Sequence, residues 1–233
     1  MNKNKPDKQT RLALNYYTKT DTLKYVGAVI TVFGLLCLAL NLGIVGYALA
    51  IIGTPVGIVL FIVGSNLRAT DDEMDADIER KMIDFRIEID NERKYKIKLL
   101  PNQKDITMEG YNFDGEVMIK RLASGSLRTD SFTRTKMRIL SDRLYIISRR
   151  ISLISDKIEN DLYEPMLSDI KEISLLRETR KIVFNEALFT VNECHLVITT
   201  DSLSLKFPII DAITSENLVH TLNKHVDEYN DQK

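Results

Sequence analysis

Between Lys120 and Arg150 the chain concentrates side chains suited to chemistry with anions: Lys120, Arg121, Arg128, Arg134, Lys136, Arg138, Arg143, Arg149 and Arg150 stand against only Asp130 and Asp142. If Ser141-Asp142 is a two-residue loop, Arg134 falls opposite Arg149, Lys136 opposite Ile147 and Arg138 opposite Tyr145. Met137, Ile139, Leu144 and Ile146 then take the other face, so one side of the hairpin is apolar and the other cationic. Like charges placed opposite one another repel unless they are neutralised. Arg134, Lys136, Arg138, Arg143, Arg149 and Arg150 are therefore the candidate site for anionic lipid, phosphate or an acidic protein segment. The alternative is a solvated outer sheet surface with acidic neighbours of its own.

No other catalytic or metal-binding pattern stands out. The chain has no Gly-rich phosphate loop, no Gly-x-Ser-x-Gly elbow and no His-Glu-x-x-His. His195 adjoins Cys194 in an expected strand, where neighbours point to opposite faces, and His220 and His225 are five apart on an expected helix, a poor ligand spacing. The expectation is a protein that is not an enzyme, with no cofactor and no metal. A net charge of −1 argues against nucleic acid as partner. Two distant cysteines, Cys37 and Cys194, with no Cys-x-x-Cys pair, suit a reducing compartment.

The elements that position the cationic hairpin begin in a membrane. Charged residues make up 28% of the chain, yet none lies between Lys24 and Arg68. Residues 25–42, at 1.5 Å per residue, span roughly 27 Å, close to the hydrocarbon thickness of a bilayer. Residues 44–64 form a second run of similar length, separated from the first only by Asn41-Leu42-Gly43. Backbone polar groups in hydrocarbon must be satisfied within the segment, which gives a helical hairpin. A cleaved signal peptide would have an apolar core of about 7–15 residues and no second span directly after it. Lys and Arg flank the hairpin and are absent from its turn, so both termini are expected in the cytoplasm, in a multi-pass protein of the cell membrane. Gly27 and Gly34 share one helix face, as do Gly46 with Gly53 and Gly57 with Gly64. These stripes permit close helix packing, either wholly within the hairpin or with one stripe reserved for a second copy in a homo-oligomer.

An acidic stretch, Asp71-Asp72-Glu73-Met74-Asp75-Ala76-Asp77-Ile78-Glu79, follows as a short helical, solvated spacer that the anionic leaflet would repel. From residue 82 alternation takes over, and strands are expected over 82–89, 94–100, 106–111, 116–122, 133–140, 143–149, 170–176, 194–200 and 203–207. Pro101-Asn102, Asp114-Gly115, Ser124-Gly125, Ser141-Asp142 and Asp201-Ser202 supply turns. A two-residue loop at Asp201-Ser202 sets Ile198 against Leu205 and Leu196 against Phe207, with Leu203 on the same buried face. A closing helix capped by Thr214 or Ser215 carries Leu218, Val219, Leu222, Val226 and Tyr229 as its apolar stripe.

The stretch 128–229, with Arg143-Leu144-Tyr145-Ile146-Ile147, Leu167-Ser168-Asp169-Ile170-Lys171-Glu172-Ile173, Leu196-Val197-Ile198-Thr199 and the closing helix, resembles bacterial pleckstrin-homology-like or GRAM-like domains. The resemblance implies a bent antiparallel sheet or partial barrel plugged by a helix. The tryptophan common in the closing helix of eukaryotic members is absent, and headgroup specificity is not carried over. The expected fold is α+β with a membrane hairpin: a basic leader over 1–24, the hairpin over 25–66, an acidic linker over 67–81, a β-rich extension over 82–127 and a PH-like partial barrel with a C-terminal helix over 128–233. The expected role is a membrane-anchored binding or scaffold module that recognises a protein partner or an anionic lipid surface at the inner face of the bilayer. The alternative is an accessory subunit of a transport or secretion complex.

Overall fold

The structure is a computed structural model that describes residues 8–19, 21–40, 43–96, 105–122, 124–210 and 212–231. The chain divides into two compact units, Met1–Met74 and Asp75–Lys233.

In the first unit, α2 (Thr22–Ala39) and α3 (Gly43–Asn66) pack against each other as a helical hairpin. Both are long and apolar enough to cross a membrane. Their outward side chains, among them Val29, Phe33, Ile44 and Ile51, are apolar and exposed. Gly43 starts α3 with φ +67, a backbone conformation that suits glycine, while the Asn41-Leu42 part of the expected turn lies outside the described residues. A helix that the sequence reading left out, α1 (Lys8–Thr18), precedes the pair and buries Ala13, Tyr16 and Tyr17. Asn15 Nδ2 donates to the Leu67 carbonyl at 2.7 Å and Tyr16 Oη to Asp71 Oδ1 at 2.6 Å, while Arg68 pairs with Asp21. The chain entering the hairpin is thus tied to the chain leaving it.

The helix α4 (Asp71–Lys96) overturns the first two expected strands. Residues 82–89 alternate, but Ile78, Met82 and Phe85 also fall at helical spacing and are buried. A capping box decides the start: Thr70 Oγ1 accepts from Glu73 N at 3.2 Å, and Glu73 Oε2 accepts from Thr70 N at 2.8 Å. No Gly or Pro interrupts the sequence from there to Lys96, so the helix passes through the expected boundary at residue 81 and continues through 94–96. Residues 97–100 and the Pro101-Asn102 turn lie outside the described residues.

The remainder of the second unit is antiparallel sheet. Strands β1 (Ile106–Tyr111), β4 (Ser131–Ile139), β5 (Leu144–Ser152) and β6 (Ile158–Tyr163) form one sheet in the order β1-β4-β5-β6. Between β1 and β4 the short strands β2 (Ile119–Arg121) and β3 (Leu127–Thr129) pair alone. A second sheet joins β7 (Ile170–Phe184), β8 (Ala187–Thr200) and β9 (Ser204–Pro208), and α5 (Ala212–Asp231) closes the chain. One core unites both sheets and the helix: Met108, Met137, Ile146, Ile173, Leu196, Phe207 and Leu222 are among its buried members. Gly110 of β1 lies where β9 ends; a Cβ there would sit 2.9 Å from Pro208 Cβ, so the sheets meet over a residue without a side chain.

The hairpin registers follow from the turns. Arg134 pairs with Arg149, Lys136 with Ile147 and Arg138 with Tyr145. Leu196 pairs with Phe207 and Ile198 with Leu205. Leu203 departs from the expected face: it is 49% exposed because it lies beyond the last ladder pair, Thr199 with Ser204, where the chain is already turning. The first α5 residue is Ala212, so the helix starts ahead of Thr214 and Ser215. Its stripe packs as expected, with Leu222 and Val226 buried and Leu218, Val219 and Tyr229 partly so. Strand 116–122 shortens to Ile119–Arg121, whereas β7 and β8 extend to a turn at Asn185-Glu186, both with positive φ.

Candidate functional site

The cationic face exists, and α4 lies on it. Strand alternation places Arg134, Lys136 and Arg138 of β4 on one side, with Arg149 of β5 beside Arg134. Arg134 donates to Glu79 Oε1 of α4 at 2.6 Å and to Glu109 Oε2 of β1 at 2.7 Å. Burial works against its charge, but these two carboxylates outweigh that and hold its pKa above the ordinary value. Arg149, 2% exposed, donates to Asn160 Oδ1 at 2.7 Å and to the Lys81 carbonyl at 3.4 Å, and its guanidinium stands 5.0 Å from the centre of the Phe85 ring. Lys81 in turn donates to the Ser152 and Ser155 carbonyls.

Arg128 of β3, 4% exposed, completes the contact by donating to Asp75 Oδ1 at 2.5 Å, with the Tyr111 ring 5.8 Å away. Burial raises the Tyr111 pKa, although Arg128 opposes the shift. Further along β4, Arg138 donates to Asp105 Oδ1 at 2.9 Å. Lys136 lies between Thr107 and Ile147 on the neighbouring strands.

Two of the six candidate residues stand apart from this face. Arg143 is at the β4–β5 turn, bonded to Asp142 at 2.9 Å and to Glu164 at 3.3 Å, and its guanidinium lowers the Asp142 pKa. Arg150 follows Arg149 directly, so it points to the opposite side and donates to Ser131 Oγ at 2.9 Å. The acidic run is part of α4, and two of its carboxylates, Asp75 and Glu79, pair with Arg128 and Arg134 while staying largely exposed themselves. Both charge runs were visible in the sequence, but residues 71–79 were assigned to a spacer and their partners lie about fifty positions on.

The glycines form a second set of close approaches. A Cβ on Gly57 would lie 2.6 Å from Thr31 N and 2.8 Å from Gly27 O; one on Gly27 would lie 2.7 Å from Gly57 O. Gly34 faces Thr54, Gly64 faces Lys24, and Gly46 is buried. Gly53 alone of the six sits at the margin, where a Cβ would meet only Ile30 Cγ2 at 3.9 Å.

No family model, curated protein or solved structure matches the chain.

His195 is buried beside Glu193, with Nε2 3.6 Å from Glu193 Oε2, whereas His220 and His225 are exposed on α5. The alternation of β8 puts Glu193 and His195 on one face, a signal present in the sequence but lost beside the more conspicuous Cys194-His195 dipeptide.

Proposed function

We propose that the protein is a membrane-anchored binding or scaffold module at the inner face of a cell membrane, both termini cytoplasmic, whose sheet unit is a PH-like partial barrel plugged by α5. The observation that carries this reading is the helix pair with apolar outward side chains and no charged residue between Lys24 and Arg68, closed by glycines along its seam. Two antiparallel meanders, β1-β4-β5-β6 and β7-β8-β9, with a C-terminal helix on their common core, support the PH-like description.

The mechanism is placement. Tethering confines the sheet unit to a layer beside the bilayer and raises its effective concentration toward any partner held there. Because α4 carboxylates occupy Arg128 and Arg134, an external acidic group reaches those arginines only by exchange with Asp75 and Glu79. The end of the β7–β8 hairpin offers a different surface, with Val183 and Leu188 exposed beside Lys181.

The test is fractionation of cells that express the full chain, with alkaline extraction of the membranes and thiol labelling of Cys194 from each side. Retention in the extracted membrane and labelling from the cytoplasmic side alone support the reading. Recovery from the aqueous fraction, or labelling from outside, overturns it. Stoichiometric co-purification with other integral membrane proteins in mild detergent would favour the accessory-subunit reading instead.

A further inference from the structure

The sheet unit contains a cavity of about 670 Å³ between the β7–β8 ribbon on one side and β1 with the β2–β3 hairpin on the other. Its size lies in the range of small-molecule sites. The ribbon side is polar. Glu178 and Glu193 are direct cross-strand partners, and His195 follows on the same face two residues on. Like charges placed opposite each other destabilise a sheet unless a counter-charge joins them. The cavity's opposite side and rim carry Tyr111, Phe113, Leu127 and Ile209.

Two atoms in this cavity are unsatisfied. Glu193 and His195 are each 7% exposed, and neither Glu193 Oε2 nor His195 Nδ1 has a hydrogen-bond partner. Buried polar atoms are paired as a rule, and an orphan marks a missing partner. Glu193 Oε1 is already taken by Arg180, whose other arm donates to Asp114 Oδ1 at 2.9 Å. His195 Nε2 stands 3.6 Å from Glu193 Oε2, beyond hydrogen-bond reach. A carboxylate oxygen only accepts, so Glu193 Oε2 requires a donor.

The charge balance points the same way. Of the charged residues that line the cavity, Glu178 and Glu193 stand against Arg177, which is itself engaged by Glu216. Carboxylates exceed guanidiniums beside two aromatic rings, a setting that favours an organic cation over an anion.

We propose that this cavity binds a small organic cation, an ammonium or guanidinium on an apolar body, which donates an N–H to Glu193 Oε2 beside the His195 ring while the body rests on Tyr111 and Phe113.

The test uses the full chain in detergent micelles with 13C-labelled histidine. The His195 ring resonance is assigned by its absence in His195→Gln. Benzylammonium and agmatine are titrated as probes, with benzoate and benzyl alcohol as charge controls. A saturable shift of the His195 resonance by a cationic probe, with benzoate without effect, is the expected result. Glu193→Gln should weaken that binding about tenfold or more, the loss expected of one charge-assisted hydrogen bond. Glu178→Gln, which keeps the Arg180 pair intact, should weaken it less and guards against misfolding of the first variant. The proposal is overturned if benzoate binds as tightly as benzylammonium, if both carboxamide variants bind as the parent does, or if neither cation shifts His195 up to about 10 mM.

Discussion

Replacing Gly57 by alanine isolates the seam of the helix pair. The new Cβ would stand 2.6 Å from Thr31 N and 2.8 Å from Gly27 O, both backbone atoms that no rotamer can move aside. Ordinary Cβ contacts begin at 3.4 Å, so the helices must part by 0.8 Å at this point, the difference between 3.4 and 2.6 Å. A gap of about 0.5–1 Å forfeits a quarter to a half of each dispersion contact nearby, and overpacking of this kind costs about 1–3 kcal/mol. The gain in helix propensity from Gly to Ala returns at most about 1 kcal/mol. Gly53→Ala supplies the control, since it gains the same propensity and meets only Ile30 Cγ2 at 3.9 Å. Steric-trap unfolding of the full chain in bicelles should therefore find Gly57→Ala less stable than Gly53→Ala by roughly 2 kcal/mol, on the overpacking scale. Equal stabilities within about 0.5 kcal/mol would refute the seam, because the close approach at Gly57 is what distinguishes the two replacements in α3.

Asp75→Asn strands the Arg128 guanidinium, whose side chain is 4% exposed against 57% for its partner. Full loss of a buried pair costs about 3–5 kcal/mol, but solvent at Asp75 reduces this to about 1–2, read by denaturation in mild detergent with Asp72→Asn as the unchanged control. Asp130 has its pKa raised above the ordinary 3.8 by burial, against the Met118 N–H that donates to it. The folded state then binds the proton more readily than the unfolded one, so stability falls as pH rises from about 3.8 through the folded value and levels off above it. Asp130→Asn should flatten that slope while keeping the Met118 bond, and an unchanged slope between pH 3.5 and 7 would exclude Asp130 as its source. Thr54 Oγ1 is buried without a hydrogen bond, so the isosteric Thr54→Val should be neutral or stabilising by up to about 1 kcal/mol in the same bicelle assay; a loss of that size would show that the hydroxyl has a partner.

Turns decided what could be read from the sequence. Ser141-Asp142 and Asp201-Ser202 fix registers because a two-residue loop leaves no freedom, and every pair inferred from them is present. The same logic stops at the loop itself, where Leu203 is exposed although its parity matches the core. Residues 82–89 show the limit of periodicity: Ile83, Phe85, Ile87 and Ile89 suit a strand, while Ile78, Met82 and Phe85 suit a helix continuing from the Thr70 cap. Only the length of sequence without Gly or Pro separates the two. Strand β6 escaped notice because Ile-Glu-Asn-Asp-Leu-Tyr is mostly polar and sits at a sheet edge, where one neighbour is enough.

The cationic run carries a more general lesson. Its register, its faces and its apolar reverse side follow from local sequence, but whether those arginines are a receptor or a structural surface depends on a segment far away. Asp75 and Glu79 lie four apart, one helical turn, which is the spacing needed to reach Arg128 and Arg134 from a single helix face. Arg149 lies against the Phe85 ring of the same helix and donates to Asn160 Oδ1. An external anion thus competes with two tethered carboxylates at high effective concentration. That makes the arginine face first a clamp for α4. Binding there by another acidic partner must release α4 from Arg128 and Arg134, so such binding and the loosening of that helix form one linked equilibrium.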